Sequence, residues 1–205
     1  MVSKSLKSIS VIIPAFNEEA TIGVIIRKII QAKVFGLKKE IIVVNDGSRD
    51  GTVQAVKKLK TRNLKLVSHH RNQGKESAIK TGLKKAGGDI ILIQDADLEY
   101  DPKDYPILLK PILQGASVVY GSRELSGQNI HSSVFFHAGG KLVTFLTNFL
   151  YGSHLTDEAT GYKLFLKDVI KNTVLKGNGF EFCPEVTARI LKNKIQSHCL
   201  SKPYS

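Results

Sequence analysis

The chain has 205 residues, 42% hydrophobic and 23% charged, which suffices for one globular domain with a core and excludes a disordered chain. Thirty Lys and Arg oppose eighteen Asp and Glu, a net +12 that suits polyanionic partners. The lysines are spread along helical segments, as at Lys57, Lys58 and Lys60 or Lys84 and Lys85, with no interleaved aromatic patch, so nucleic acid is not the expected partner.

Residues 9–14 (ISVIIP) carry the β-branched signature of a buried strand. Asn17, Glu18 and Glu19 follow as a helix cap and acidic first turn, and Ile22, Ile25, Ile26, Ile29 and Ile30 recur at helical spacing. A strand at 40–45, a turn at 46–51 and a helix bearing Val53, Val56 and Leu59 come next. Residues 64–68 predict a strand and 75–85 a helix with Ala78, Ile79, Gly82 and Leu83 inward. After Gly87-Gly88, residues 89–94 (DIILIQ) predict a strand, 105–113 a helix and 117–120 a strand. This alternation predicts an α/β fold, a mainly parallel sheet with helices on both faces.

Beyond Gly121 the rhythm changes. Phe135, Ala138, Leu142, Phe145 and Phe149 predict an amphipathic helix that either packs on the core or meets a membrane surface. A helix at 181–192 and a last strand at 195–200 complete a single domain over 1–205, with a donor-binding half at 9–121 and an acceptor-side half at 122–205. Residues 1–8 lack an apolar signal core, and the most apolar stretch, 134–151, is interrupted by His137, Gly139, Gly140, Lys141 and Asn148. Cys183 and Cys199 have no metal-type spacing. The expected location is cytoplasmic.

Ligands of open α/β sheets bind beyond the carboxyl ends of the strands. Polar clusters fall at such ends: Pro14-Ala15-Phe16-Asn17-Glu18, Asn45-Asp46-Gly47-Ser48 and Gln94-Asp95-Ala96-Asp97. Neither G-x-G-x-x-G nor G-x-x-x-x-G-K-[ST] is present. Asp95 and Asp97, with Glu99 as a third oxygen, offer hard ligands for Mg²⁺ or Mn²⁺ whose shell a diphosphate would complete. Alone, each cluster has an ordinary explanation as a turn or a cap; their recurrence at equivalent strand ends carries the inference. Asp157 is either a general base or a loop carboxylate paired with a lysine. His69-His70 is read as a surface pair at a strand end, and His137 as interfacial or packed.

The stretches VIIPAFNEE (11–19), IIVVNDGSRDGT (41–52), RNQGKESAIKTG (71–82), LIQDADLEYDP (92–102), YGSR (120–123), LTDEATGYKLF (155–165) and FEFCPEVTARI (180–190) resemble, in this order, family 2 glycosyltransferases of GT-A fold. The branch they resemble is that of dolichol-phosphate mannosyltransferase and the polyprenyl-phosphate glycosyltransferases. The resemblance implies a metal-dependent, inverting transfer of a mannose- or glucose-type sugar from a GDP- or UDP-sugar to a polyprenyl or dolichyl phosphate, peripherally at the cytoplasmic membrane face. It implies that Pro14, Ala15, Asn17 and Glu18, with Asp46, hold base and ribose, and that Asn45, Ser48, Lys75, Asp95 and Ala96 complete the donor site. Asp97 and Asp157 would be catalytic, Asp95, Asp97 and Glu99 would hold the metal, and Arg123 and Lys163 would face the acceptor phosphate. Transfer to a saccharide hydroxyl and an inactive nucleotide-sugar-binding protein are the alternatives.

The sequence departs from the family pattern in places. Asn45 replaces an Asp, which softens base recognition; Glu76 replaces a Gly and adds negative charge near the phosphate path. Residues 195–205 read IQSHCLSKPYS where the family continues into an Arg-bearing stretch, so a shortened acceptor half is expected.

Overall fold

The computed structural model describes residues 5–122, 144–145, 147–150, 162–171, 182–192 and 197–201. Its strands are β1 (Ser8–Ala15), β2 (Lys38–Asn45), β3 (Leu64–Ser68), β4 (Ile90–Ile93), β5 (Val118–Ser122), β6 (Lys163–Leu166) and β7 (Ser197–Ser201). Its helices are α1 (Ile22–Gln31), α2 (Thr52–Lys57), α3 (Lys75–Lys85), α4 (Tyr105–Leu113), α5 (Lys167–Lys171) and α6 (Phe182–Lys192). Residues 144–145 and 147–150 are also helical.

Among the described residues one sheet of seven strands runs in the order β3-β2-β1-β4-β6-β5-β7. All pairings are parallel except those of β6, which is antiparallel to both β4 and β5. The expected mainly parallel sheet is therefore present, with one reversed strand that the sequence did not announce. Residues 163–166 (KLFL) are short and open on a lysine, so they lack the apolar run that marks the other central strands.

Alternation along each strand divides the core. Ile9, Val11 and Ile13 of β1, Ile41 and Val43 of β2 and Leu92 of β4 pack with α1, Val56 of α2 and α4. Ile12, Ile42, Val44 and Ile91 turn the other way, against Ala78 of α3. Ile93, Val118, Tyr120 and Phe165 continue that second face against Ile79 of α3, Ile170 of α5 and Val186 and Ile190 of α6. A period of two with both faces buried produces these near-continuous apolar strands. Gly82 lets α3 sit directly on β1: a Cβ there would stand 2.4 Å from Ile12 Cγ2.

Pro14 fits inside β1 because of where the ladder ends. Ile12 O accepts from Gln94 N, so the backbone of even-numbered β1 residues faces β4, and the β1–β4 pairing stops at Ile12. Pro14 lies beyond that point, where no N–H is needed. Two local expectations are corrected. Asn17, Glu18 and Glu19 do not form the first turn of α1, which starts at Ile22 with Thr21 as its cap and no acidic residue in its first turn. Helix α2 ends at Lys57, so Leu59 lies beyond it.

Candidate active site

The carboxyl ends of β1, β2, β3 and β4 lie on one edge of the sheet, in register at Ala15, Asn45 and Ser68, with Ile93 opposite Ile12. Because β6 is reversed, its first residue, Lys163, lies on that edge too, opposite Ile93. The loops leaving these ends carry most of the expected site residues.

The loops after β1 and β2 are zipped together. Asn17 N donates to Ser48 Oγ (3.0 Å), and Asn17 Oδ1 accepts from Arg49 N (2.9 Å). Glu18 N donates to Thr52 Oγ1 (2.8 Å), Glu19 N to Asp50 Oδ2 (3.1 Å), and Gly51 N to Glu19 Oε2 (2.9 Å). These bonds take Asn17, Glu18 and Glu19 away from α1. Asn17 adopts a left-handed φ of 57°, which asparagine tolerates better than most residues. Pro14 and Ala15 are buried beneath this zipper, Glu18 is half-buried and Asn17 is exposed.

Asn45 and Asp46 are committed to the fold. Asn45 Oδ1 accepts from Ser48 N (3.1 Å), and its Nδ2 donates to Ser68 Oγ (3.3 Å). Asp46 is 2% exposed. Its carboxylate accepts from Gln73 N (3.0 Å to Oδ1) and Gly74 N (2.7 Å to Oδ2), and it bonds His69 Nδ1 at 2.7 Å. The oxygens expected to meet a base or ribose thus hold the 73–74 backbone instead. Gly47, at φ +72°, allows the second contact between these loops, since a Cβ there would stand 2.4 Å from the carbonyl carbon of Arg71.

His69 was expected on the surface with His70. His70 is exposed, but the His69 side chain is 9% exposed and lodges between Asp46 and Thr81, whose Oγ1 is 2.9 Å from Nε2. His69 N donates to Asn45 O, so the histidine is at the same edge as the acid after β2.

The Asp95-Ala96-Asp97 loop is shaped from below by Gln94, which the sequence placed in its cluster without a role. Gln94 is fully buried; its Nε2 donates to the carbonyls of Asp95 (3.1 Å) and Tyr100 (3.2 Å), and its Oε1 accepts from Tyr105 OH (2.9 Å). Burial first, and then the nearby Asp101 charge, pushes the Tyr105 phenol well above its ordinary value, so it stays a donor. Tyr162 packs against Tyr100 and Tyr105, with ring centroids 4.5 and 6.3 Å away. Burial tends to raise the Asp101 carboxyl, but the Lys103 amide and the Lys28 ammonium, 3.0 Å away, hold it below its ordinary value.

Ala96 and Asp95 are buried, and Lys75 Nζ lies 2.6 Å from Asp95 Oδ1. Asp97 and Glu99 are exposed, and Glu99 N donates to Asp97 Oδ1 (3.1 Å). Leu98 between them takes a left-handed φ of 69°. Among the described residues no three His, Cys, Asp or Glu side chains gather as a metal site without a ligand present. The cation already beside Asp95 and the hard oxygens of Asp97 fit a divalent ion that shares its shell with a bound diphosphate, not one held by protein alone.

Lys163 departs from its expected place at the crevice mouth. It is 1% exposed and on the face of β6 shared with Phe165, and its ammonium lies 5.7 Å from the centroid of the Tyr120 ring. Arg123 and Asp157 lie outside the described residues.

Comparison with known proteins gives a match to the model of the family described as "Glycosyl transferase family 2" over residues 10–174. The dolichol-phosphate mannosyltransferase of Pyrococcus furiosus is 28% identical over 191 residues, covering 91% of this chain and 54% of that protein. The UDP-N-acetylglucosamine–dolichyl-phosphate N-acetylglucosaminyltransferase of Methanococcus voltae is 31% identical over 210 residues, covering 92% and 82%. This chain spans about half the length of several of the curated relatives it matches. Glucosyl-3-phosphoglycerate synthase of Mycobacterium tuberculosis, solved with Mn²⁺, UDP and phosphoglyceric acid, superposes with a TM-score of 0.70 at 25% identity, covering 94% of this chain and 68% of that one. The fold is GT-A.

Proposed function

The chain belongs to glycosyl transferase family 2, and from that premise we propose that it moves a sugar of the mannose or glucose type from a UDP- or GDP-linked donor to a polyprenyl or dolichyl phosphate. The observation that carries the reading is the meeting of interlocked loops at the carboxyl edge of β1, β2 and β4, with the Lys75 ammonium at Asp95. That edge presents the Lys75 ammonium and two carboxylates one residue apart beside buried Pro14, Ala15 and Ala96, a composition suited to a diphosphate with its counter-ion. Relatives named for transfer to dolichyl and dodecaprenyl phosphates support the acceptor class.

A divalent cation between Asp95, Asp97 and the donor would neutralise charge on the departing nucleoside diphosphate. The protein's own part is to orient. The zipper between the loops at 16–19 and 48–52 holds the base end, and Lys75 and the first turn of α3 face the phosphates. A phosphate oxygen of the acceptor forms a bond to the anomeric carbon as the bond from that carbon to the diphosphate breaks. The electron pair leaves with the diphosphate, and the configuration inverts. A phosphate acceptor is ionised near neutral pH and needs no general base. Arg123 remains the proposed acceptor contact; the buried Lys163 steadies Tyr120 instead.

Phe145, Phe149 and Leu150 are 65%, 77% and 69% exposed, and the two rings stack at 6.4 Å. No helix among the described residues is long and apolar enough to cross a membrane. We assign this face and the net +12 to contact with an anionic lipid surface.

The test is calorimetric titration of UDP and GDP into wild type and Asp97→Ala, with Mn²⁺ and with EDTA. Metal-dependent binding that Asp97→Ala abolishes supports the donor site. Equal affinity in all arms rejects it.

A further inference from the structure

His69 meets the loop after β2 only at its buried root, Asp46, and there it joins the elements that set Lys75 in place. Its Nδ1 is 2.7 Å from Asp46 Oδ1 and its Nε2 2.9 Å from Thr81 Oγ1, on α3. Asp46 in turn receives the amides of Gln73 and Gly74. Gly74 is the N-cap of α3, at φ 93° and without a side-chain cap, and the chain entering the helix is anchored instead just before it, by Asp46 on the amides of Gln73 and Gly74, with Asn72 Oδ1 also accepting from Gly74 N (3.0 Å). Lys75 is the next residue, and it reaches Asp95.

We propose, on the donor-site reading above, that His69 is a positioning residue for nucleotide binding, fixing through Asp46 the amino end of α3 and so the place of the Lys75 ammonium. A carboxylate as buried as Asp46 needs all its donors. With the ring gone, its bonds to Gln73 and Gly74 are all that remain among those described, and the Gln73–Gly74 segment loses a rigid anchor. Thr81 sets the ring from the far side. In the neutral form Nδ1–H donates to Asp46 and the Thr81 hydroxyl donates to Nε2, so each polar atom has one task. The ring thereby ties the end of β2 to the second turn of α3, while Asp46 holds the cap.

Two substitutions separate this role from simple filling of space. Asparagine at 69 presents its amide near the position of Nδ1 and keeps the Asp46 bond; glutamine reaches the position of Nε2 and keeps only the Thr81 bond. With Mn²⁺ present, His69→Gln is expected to weaken binding of UDP or GDP, whichever the wild type prefers, by about tenfold, and His69→Asn by no more than about threefold. Because His69 acts through Lys75, Lys75→Met made in the His69→Gln background should cost less than about twofold further, against about tenfold in the wild type. Thr81→Val, which leaves the ring in the chain, should fall between, at about threefold. Hydrogen exchange at the Gln73 and Gly74 amides should rise in His69→Gln and stay near wild type in His69→Asn. Equal affinity and equal exchange in the two His69 variants, or additive losses in the double variant, would overturn the proposal. If wild type binds neither nucleotide, the donor reading fails, while the exchange experiment still decides whether His69 clamps the segment.

Discussion

The ammonium of Lys75 stands 2.6 Å from Oδ1 of Asp95, joining the first residue of α3 to the second residue of the loop after β4. The Lys75 side chain is 54% exposed, so the pair is screened and contributes little to stability, about 0–1 kcal/mol. On the proposed donor reading, its value lies in the charge it would hold beside the diphosphate. Lys75→Met should weaken UDP or GDP binding about tenfold, equivalent to 1.4 kcal/mol, while the melting temperature moves by less than about 4 °C. Unchanged affinity would remove Lys75 from the donor site.

Gly47 governs how closely the loops after β2 and β3 approach. Its φ of +72° and the Arg71 backbone 2.4 Å from a would-be Cβ both oppose any side chain. Gly47→Ala should cost about 1–2 kcal/mol for the left-handed backbone alone, a fall of roughly 2–8 °C in melting temperature. Nucleotide affinity should fall as well, because the contact shifts the segment that leads to Lys75. Gly82→Ala makes the contrasting case: it crowds Ile12 in the core, away from the crevice, and should lower the melting temperature with affinity retained. Equal loss of affinity in both variants would contradict this division.

Acid should unfold the protein through particular carboxylates. Burial tends to raise Glu40, but bonds from Lys65, Ser10 and the Gly87 amide hold it below its ordinary value. Burial likewise opposes ionisation of Asp50, which Thr52 and the Glu19 amide outweigh. With Asp101, these groups bind fewer protons folded than unfolded. Their contribution is fully present above the ordinary carboxylate value and is lost as pH falls below about 4. Urea midpoints should hold steady from pH 7 to 5 and drop from pH 4 to 3, less steeply in Asp101→Asn. A flat midpoint down to pH 3 would refute this.

The exposed rings at 145 and 149 give a separate test. The protein should float with liposomes containing anionic lipid at low salt and release at high salt, since each basic residue near such a surface adds about 1 kcal/mol that salt screens. Phe145→Ser with Phe149→Ser should reduce the bound fraction at constant salt. Full retention by the double variant would assign the face to something other than lipid.

Much of the fold was legible because its strands are apolar runs buried on both faces, and α3 and α4 match their predicted limits. The reversed strand β6 was not, since it is short, opens on Lys163 and is defined by its pairing with β4 and β5. The site edge was legible from Asp95, Asp97 and the clusters at 14–18 and 45–48. What each side chain does there was less so. Asn17, Asn45 and Asp46 look like free ligands in the sequence, but their oxygens answer backbone amides, from distant loops for Asn17 and Asp46 and from the adjoining turn for Asn45. Periodicity carries no information on such bonds. His69 was missed for the same reason, because its partners come from two other elements.

The central claim is transfer to a lipid phosphate, and the direct measurement is a partition assay. Radiolabelled UDP- and GDP-sugars are incubated with the chain, a polyprenyl phosphate and Mn²⁺, and the organic phase is counted. The account predicts organic-phase label with at least one donor, lost with EDTA and in Asp97→Ala, and largely kept in Asp157→Asn because an ionised phosphate needs no base. Label that survives EDTA, or that appears only with a saccharide hydroxyl acceptor and falls by about 10²–10⁴ in Asp157→Asn, would contradict it.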